Sequence, residues 1–444
     1  MNVFTKYFFM CRIILKKFIL FKKREKMKKS KRLIVVGIVV LVIGCLGLTL
    51  MVSTGVKRKS EDTKSGVPQA SAEHEKENAD GENVTVLSAV NEGTDGVSVQ
   101  NGSVAVQASD TSNWDLTKVD IVYDTANVPV PVPKGYVASG ADGEHTVNTG
   151  FVIYEGSTAV TNENAWAESC SRNQWVWVPV PDVSRIYKIN SAGNKVGRLY
   201  RYSSTGRSNY GRSEPSVLFF GDNEESFSQY GLQSKSKEKL LHDIQNEFEE
   251  TIESITRYGG FWIGRYETGN LNESEPVIQR MNTRICDQNW YTAYIRMKRI
   301  NTNENVKTSM IFGCLWDETL QWLVDSGNKT YAELSDSTSW GNYGGSTFEY
   351  KTDKNGNVTT KTTSSRISIP AGSAEYTKAN NIYDMAGNLE EGTLEGNNSS
   401  RVCRGGNYYC AGNGYPAPYR GDCDPTADYS RTSAVTFRAY LYIK

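Results

Sequence analysis

Asn407, Tyr408, Tyr409, Cys410, Gly412, Asn413, Tyr415, Asp422, Cys423, Asp424, Asp428, Tyr429, Ser430 and Arg431 crowd into one short stretch near the C-terminus. These residue types make contacts more readily than they break bonds. Tyrosine gives a large, rigid contact area at low entropic cost, while Asn, Ser and Gly adapt their hydrogen bonds to a partner. They alternate with Arg404-Gly405-Gly406, Pro416-Ala417, Tyr419-Arg420, Pro425-Thr426 and Phe437-Arg438. Glycines there suit a tight turn, and the apolar and aromatic members suit a core. The pattern predicts a scaffold that presents Asn407, Tyr408, Tyr409, Asn413, Tyr415, Asp422, Asp424, Asp428, Tyr429 and Arg431 to a ligand.

Bond-breaking chemistry has little to work with. There is no G-x-S-x-G, P-loop or G-x-G-x-x-G. A two-histidine facial triad would have to use both His145 and His242, and His242 lies among charges on an amphipathic run. No CxxC or His near a Cys cluster supports zinc. The carboxylate pairs Glu390-Glu391 and Glu249-Glu250 are adjacent in sequence, so their members point in divergent directions, and each pair reads as solvated surface.

The elements that must position these residues are short. Val128 to Gly135, Phe151 to Tyr154 and Trp175 to Pro181 read as strands or extended segments with prolines at edges. Leu240, Leu241, Ile244, Phe248, Ile252 and Ile255 recur at helical spacing until Gly259-Gly260, and Phe261 to Glu267 follows as a strand. A second helix covers about Cys314 to Val324, with Leu315, Thr319, Trp322 and Leu323 on a core-facing side. Asp353-Lys354-Asn355-Gly356-Asn357 reads as a hairpin turn rather than an EF-hand loop, because its glycine falls one place early. The class is α+β with little regular secondary structure.

The chain balances 50 Lys+Arg against 50 Asp+Glu, so no global field attracts nucleic acid. Its first 32 residues are strongly basic, and an uncharged run follows from Leu33 to Val52. At about 1.5 Å per residue that run crosses a hydrocarbon core of roughly 30 Å. Basic residues before it predict a single-pass signal anchor with the C-terminal domain extracellular. A cleaved signal peptide, or a lipoprotein signal ending at Cys45 with a start at Met27, are the alternatives. Residues 53–115, polar and almost free of aromatics, read as a disordered stalk, and 116–444 as the globular domain. Its cysteines, Cys170, Cys286, Cys314, Cys403, Cys410 and Cys423, admit many pairings, and spacing alone selects none.

Over roughly residues 165 to 444 the order of segments resembles the formylglycine-generating enzyme (sulfatase-modifying factor) family, whose fold is a variant of the C-type lectin fold. The resemblance rests on Trp175-Val176-Trp177-Val178-Pro179-Val180, Gly260 to Glu267, Trp316-Asp317 with Leu320, Asp384 to Glu391, Arg404-Gly405-Gly406 and Phe437-Arg438. It implies a structural calcium held by the side chains of Asp384 and Glu391 and the carbonyls of Gly387 and Leu389. The family's tryptophans are replaced by Glu390 and Gly392. Its oxidase binds Cu(I) through two cysteines; Cys410 occupies the first position and Tyr415 the second, so copper is not expected. The 404–436 stretch is also similar to the variable region of retroelement-diversified proteins, which display ligand-binding residues on the same fold. Together these imply a membrane-anchored extracellular binding module for a protein or glycan. The alternatives are a copper-dependent oxidase using Cys410, or a structural surface protein.

Overall fold

The computed structural model describes residues 110–190, 193–197, 237–270, 275–282, 289–300, 303–396, 400–425 and 434–444. The side chains of 237–238 are excepted, and the backbones of Val99–Gln100 and Ser103–Val104 are added. The basic segment 1–32, the span 33–52, nearly all of the stalk and the contact residues Asp428, Tyr429 and Arg431 lie outside the described residues. Among the described residues, no helix is long and apolar enough to cross a membrane.

In chain order the elements used below are β1 (Val119–Tyr123), β2 (Pro129–Pro133), β3 (Tyr136–Ala138), β4 (Val152–Glu155), β5 (Gln174–Pro179), α1 (Lys237–Tyr258) and β6 (Gly260–Gly264). There follow α2 (Trp290–Met297), β7 (Val306–Met310), α3 (Gly313–Asp325), β8 (Phe348–Lys351), β9 (Val358–Lys361), β10 (Glu390–Gly396), β11 (Arg401–Arg404), β12 (Arg420–Cys423), β13 (Val435–Phe437) and β14 (Ala439–Ile443). The fold is mixed α+β, mostly strands with few helices. Six antiparallel strands form one sheet in the order β7-β14-β6-β5-β4-β3. A four-stranded sheet, β12-β11-β10-β13, is antiparallel except that β13 runs parallel to β10. Arg438, between β13 and β14, joins the two.

Every residue of β5 is buried, as a strand covered on both faces requires, and Trp177 sits opposite Trp262 with ring centroids 4.9 Å apart. The predicted amphipathic helix is α1, lying across β6 and β14. Its Leu240, Ile244, Phe248, Ile252 and Ile255 are buried, each worth roughly 1.5–3 kcal/mol relative to exposure. It ends where Gly259 turns left-handed at φ 81°. The second predicted helix is α3, and Trp322 and Leu323 do face the core. Pro129, Pro131 and Pro133 donate nothing to a ladder, and β2 accordingly pairs only with β1. The turn at 353–357 closes the β8–β9 hairpin, with Gly356 at φ 84° and the Asp353 carboxylate accepting from the backbone N–H groups of Asn355 and Asn357.

The pleat of the four-stranded sheet divides its residues sharply. In register, Glu391 faces Arg404 and Arg404 faces Arg420 on one side of the sheet; Gly392 faces Cys403, and Cys403 faces Gly421, on the other. Glu390 therefore points to the cysteine side and Glu391 to the arginine side. The expected divergence of this pair holds, but its solvated character does not: Glu391 is 0% exposed and Glu390 largely buried.

Candidate functional site

The stretch 405–419 is a loop held between two strand ends, Arg404 of β11 and Arg420 of β12. Both guanidiniums are buried and share two buried carboxylates. Asp317 of α3 bonds one guanidinium with each oxygen. Glu395 of β10 accepts from Arg404 Nη1 at 3.2 Å and from Arg420 Nε at 2.9 Å. Two positive and two negative charges thus compensate each other where water cannot. The loop's framework is pinned further by Trp316 Nε1 donating to the Ala417 carbonyl at 3.1 Å and by the Tyr343 hydroxyl donating to the Gly405 carbonyl at 2.8 Å. Gly406 has φ 66°, and a Cβ there would lie 2.2 Å from the Tyr415 carbonyl oxygen, so only glycine fits.

On this frame the residues of the stretch differ in exposure. Arg404, Gly405, Gly406, Pro416, Ala417, Tyr419 and Arg420 are buried. Tyr409 (52%), Asn413, Asp422 and Asp424 are exposed, and Asn407, Tyr408, Cys410 and Tyr415 are half-buried. Tyr408 and Tyr409 lie ring against ring with centroids 4.2 Å apart, and Tyr415 packs edge-on against the buried Tyr419 at 4.6 Å. The Cys410 carbonyl accepts from Gly344 N–H at 2.9 Å, and the Gly412 carbonyl from Ser337 N–H at 3.2 Å, so a second segment underlies the loop.

Two residues of the stretch depart from the contact reading. Gly412 is buried against Thr338. Cys423 is buried and joined to Cys403 by a disulfide with Cα atoms 6.0 Å apart, so it is framework and not a sampled contact. Cys410 remains a thiol, and its Sγ donates to Asn407 Oδ1 at 3.3 Å. Burial first, and the Glu390 carboxylate after it, push that thiol up, which keeps it protonated at neutral pH and a poor nucleophile or soft-metal ligand.

The acidic turn before β10 is locked by buried partners. Asp384, Gly387 and Asn388 all have positive φ, at 63°, 72° and 63°. Asp384 accepts from Gly372 N–H at 2.8 Å and from the Thr377 hydroxyl at 2.7 Å. Glu391 receives Arg438 through both oxygens, with Nε at 2.7 Å, and the same guanidinium donates to the Gly264 and Tyr383 carbonyls. Burial pushes the Glu391 carboxyl up, Arg438 pulls it down, and Asp384 adds a further upward push. Glu267, unremarked in the sequence beyond its place in the strand motif, accepts from Leu389 N–H at 3.1 Å and Asn388 Nδ2 at 2.8 Å.

No family model matches the chain, and no curated protein matches it. Among solved structures, Treponema denticola variable protein 1 is similar at 15% identity over 41% of this chain and 85% of that chain, with a TM-score of 0.28.

A polar groove of about 450 Å³ lies apart from the contact loop, between α1, β7 and the end of β14. Four of its charges pair with each other: Glu247 with Lys298 at 2.5 Å, and Glu250 with Lys307 at 2.6 Å, Glu250 also accepting from the Tyr442 hydroxyl at 2.8 Å.

Glu390 is the titratable group set against the contact surface. Asn407 Nδ2 donates to its Oε1 at 2.9 Å, and burial pushes its carboxyl from 4.5 up to about 7. The folded protein therefore holds a proton there that the unfolded chain releases, and stability falls as pH rises from about 4.5 to about 7. Glu390→Gln keeps the Asn407 contact and removes the titration. It is expected to match the wild type at acid pH and to exceed it by about 3 kcal/mol above neutrality. Denaturant unfolding across that pH range checks this; parallel pH profiles for the two proteins would refute it.

Proposed function

We propose that the chain is a membrane-anchored, extracellular binding module on a formylglycine-generating-enzyme-like variant of the C-type lectin fold, contacting a protein or glycan ligand through the loops of 404–436. One observation carries this reading. Within 404–425, Asn407, Tyr408, Tyr409, Asn413, Tyr415, Asp422 and Asp424 are exposed or half-exposed, while Arg404, Gly405, Gly406, Pro416, Pro418 and Arg420 are buried. Binding needs a rigid frame and adaptable tips, and the buried four-charge cluster with the Cys403–Cys423 bridge supplies the frame. The span at 33–52 would tether the module to the cell membrane, and the stalk would hold it clear of the surface. Structural calcium belongs to the same proposal: Asp384 and Glu391 are close enough for one carboxylate to disfavour ionisation of the other, and with the carbonyls of Gly387 and Leu389 they would hold the ion if Glu391 shared or gave up the Arg438 guanidinium that now engages both its oxygens.

The test uses the full chain against a printed glycan library and a displayed peptide library. Tyr408→Ala with Tyr409→Ala is expected to weaken the selected ligand at least about tenfold, since aromatic anchors dominate such surfaces. Exposed Tyr409 contributes little to the core, so Tyr409→Ala alone should change stability by no more than about 0.5 kcal/mol. A wild-type chain that selects nothing, or a double variant that binds unchanged, would sink the proposal.

A further inference from the structure

Glu390, Cys403 and Cys423 come from three adjacent strands, β10, β11 and β12, and the register sets all three side chains on one side of the sheet. A carboxylate oxygen of Glu390 and the two sulfurs lie within 4.8 Å of one another. The carboxyl is already aimed, because Asn407 Nδ2 holds Oε1 at 2.9 Å. Its Oε2 lies over Gly421, 3.7 Å from where a Cβ would stand, and aromatic rings cover both glycines of this face: Tyr419 would lie 2.9 Å from a Cβ at Gly421, and Phe437 2.5 Å from one at Gly392. Buried thiolates with one oriented carboxylate are a donor set for a thiophilic divalent ion and not for calcium or magnesium.

We propose that, once the disulfide is reduced, Glu390, Cys403 and Cys423 bind a thiophilic divalent cation, with zinc as the favoured ion. The base of the contact loop would then be closed either by a sulfur–sulfur bond or by a metal. A phosphine or dithiol reductant delivers two electrons to the S–S bond, which breaks as two protons are taken up to give two thiols. The cation displaces both thiol protons, and the proton that the Glu390 carboxyl holds below about pH 7, to solvent and binds two thiolates and the Glu390 carboxylate. The sulfurs must separate to roughly 3.8 Å to share a zinc at about 2.3 Å from each. The Cα separation of 6.0 Å accommodates that by side-chain rotation. Three protein donors leave the fourth tetrahedral position to water or an outside ligand. Cys410 takes no part, which separates this site from the copper position that the family resemblance implies.

The experiment titrates cobalt(II), as a spectroscopic stand-in for zinc, into the full chain reduced with a phosphine under anaerobic conditions. One equivalent should raise a near-ultraviolet thiolate-to-cobalt charge-transfer band that zinc abolishes. Cys423→Ser should lose the band, and Cys410→Ser should keep it. Glu390→Gln, which preserves shape and both thiols, should weaken cobalt binding at least about tenfold, the least that outer-shell losses cost. The unreduced chain should show no band. A reduced chain without the band, a band that survives Cys423→Ser or disappears with Cys410→Ser, or full affinity in Glu390→Gln would each overturn the proposal. The last outcome also distinguishes a folded three-ligand site from cobalt captured by thiols of an unfolded chain.

Discussion

Asp317→Ala is expected to cost about 3–5 kcal/mol of folding stability, the range for breaking a buried ion pair by removing one partner. Asp317 is 0% exposed, and each of its two oxygens bonds a different buried guanidinium, Arg404 and Arg420. With the aspartate gone, Glu395 alone must balance both. The surplus positive charge sits where no solvent reaches it, and the alanine leaves empty volume besides. A domain commonly has only about 5–15 kcal/mol in hand, so the variant should unfold near physiological temperature. Urea titration of the full chain gives the number directly. Replacing Asp317, Glu395, Arg404 and Arg420 together by apolar residues of similar volume should cost far less than Asp317→Ala alone, because desolvation of the charges is then no longer required. A loss below about 1 kcal/mol for Asp317→Ala would mean that the cluster is effectively solvated.

Much of this frame was legible in the sequence, for identifiable reasons. Helix α1 announced itself because its apolar residues recur on one side among charges, and Gly259 stops it. The framework of the contact stretch was legible because Gly406 and its neighbours are residue types that tight backbone packing demands. Helix α2 was not anticipated. Trp290, Ala293, Tyr294 and Met297 recur at i, i+3, i+4 and i+7 and are buried together with Tyr291, so the stripe is present, but it spans only 8 residues and is too short to stand out in the sequence. The Cys403–Cys423 pairing was hidden for a different reason: it depends on the register of β11 against β12, which spacing does not encode. Glu390 and Glu391 misled because adjacent charges usually mark surface. Here one strand buries both, one against Arg438 and the other under Asn407. Arg404 and Arg420 were read as framework from their place in motifs, but the reason, a shared pair of carboxylates from α3 and β10, appears only when the chain is folded.

Opening the Cys403–Cys423 bridge should cost about 3 kcal/mol, the loop-closure value for a separation of 20 residues. The bridge encloses 404–422, so in the unfolded chain it restrains the very stretch that carries most of the described contact residues. Two routes reach the same state. Reduction leaves the side-chain volumes intact, whereas Cys403→Ala with Cys423→Ala removes two buried sulfurs and adds a small cavity term. The double variant should therefore be slightly less stable than the reduced wild type, and both well below the oxidised protein in urea midpoint. Equal midpoints for oxidised and reduced protein would show that the bridge does not restrain the unfolded chain. The bridge and the charge cluster act at neighbouring positions of the same two strands, Cys403 next to Arg404 and Cys423 close to Arg420. Their losses should not add, because sites that share a backbone segment couple by about 0.5–3 kcal/mol. If stem pairing is already lost in Asp317→Ala, reduction should lower its midpoint by less than it lowers the wild type's. Full additivity would instead mean that the two devices hold separate parts of the loop.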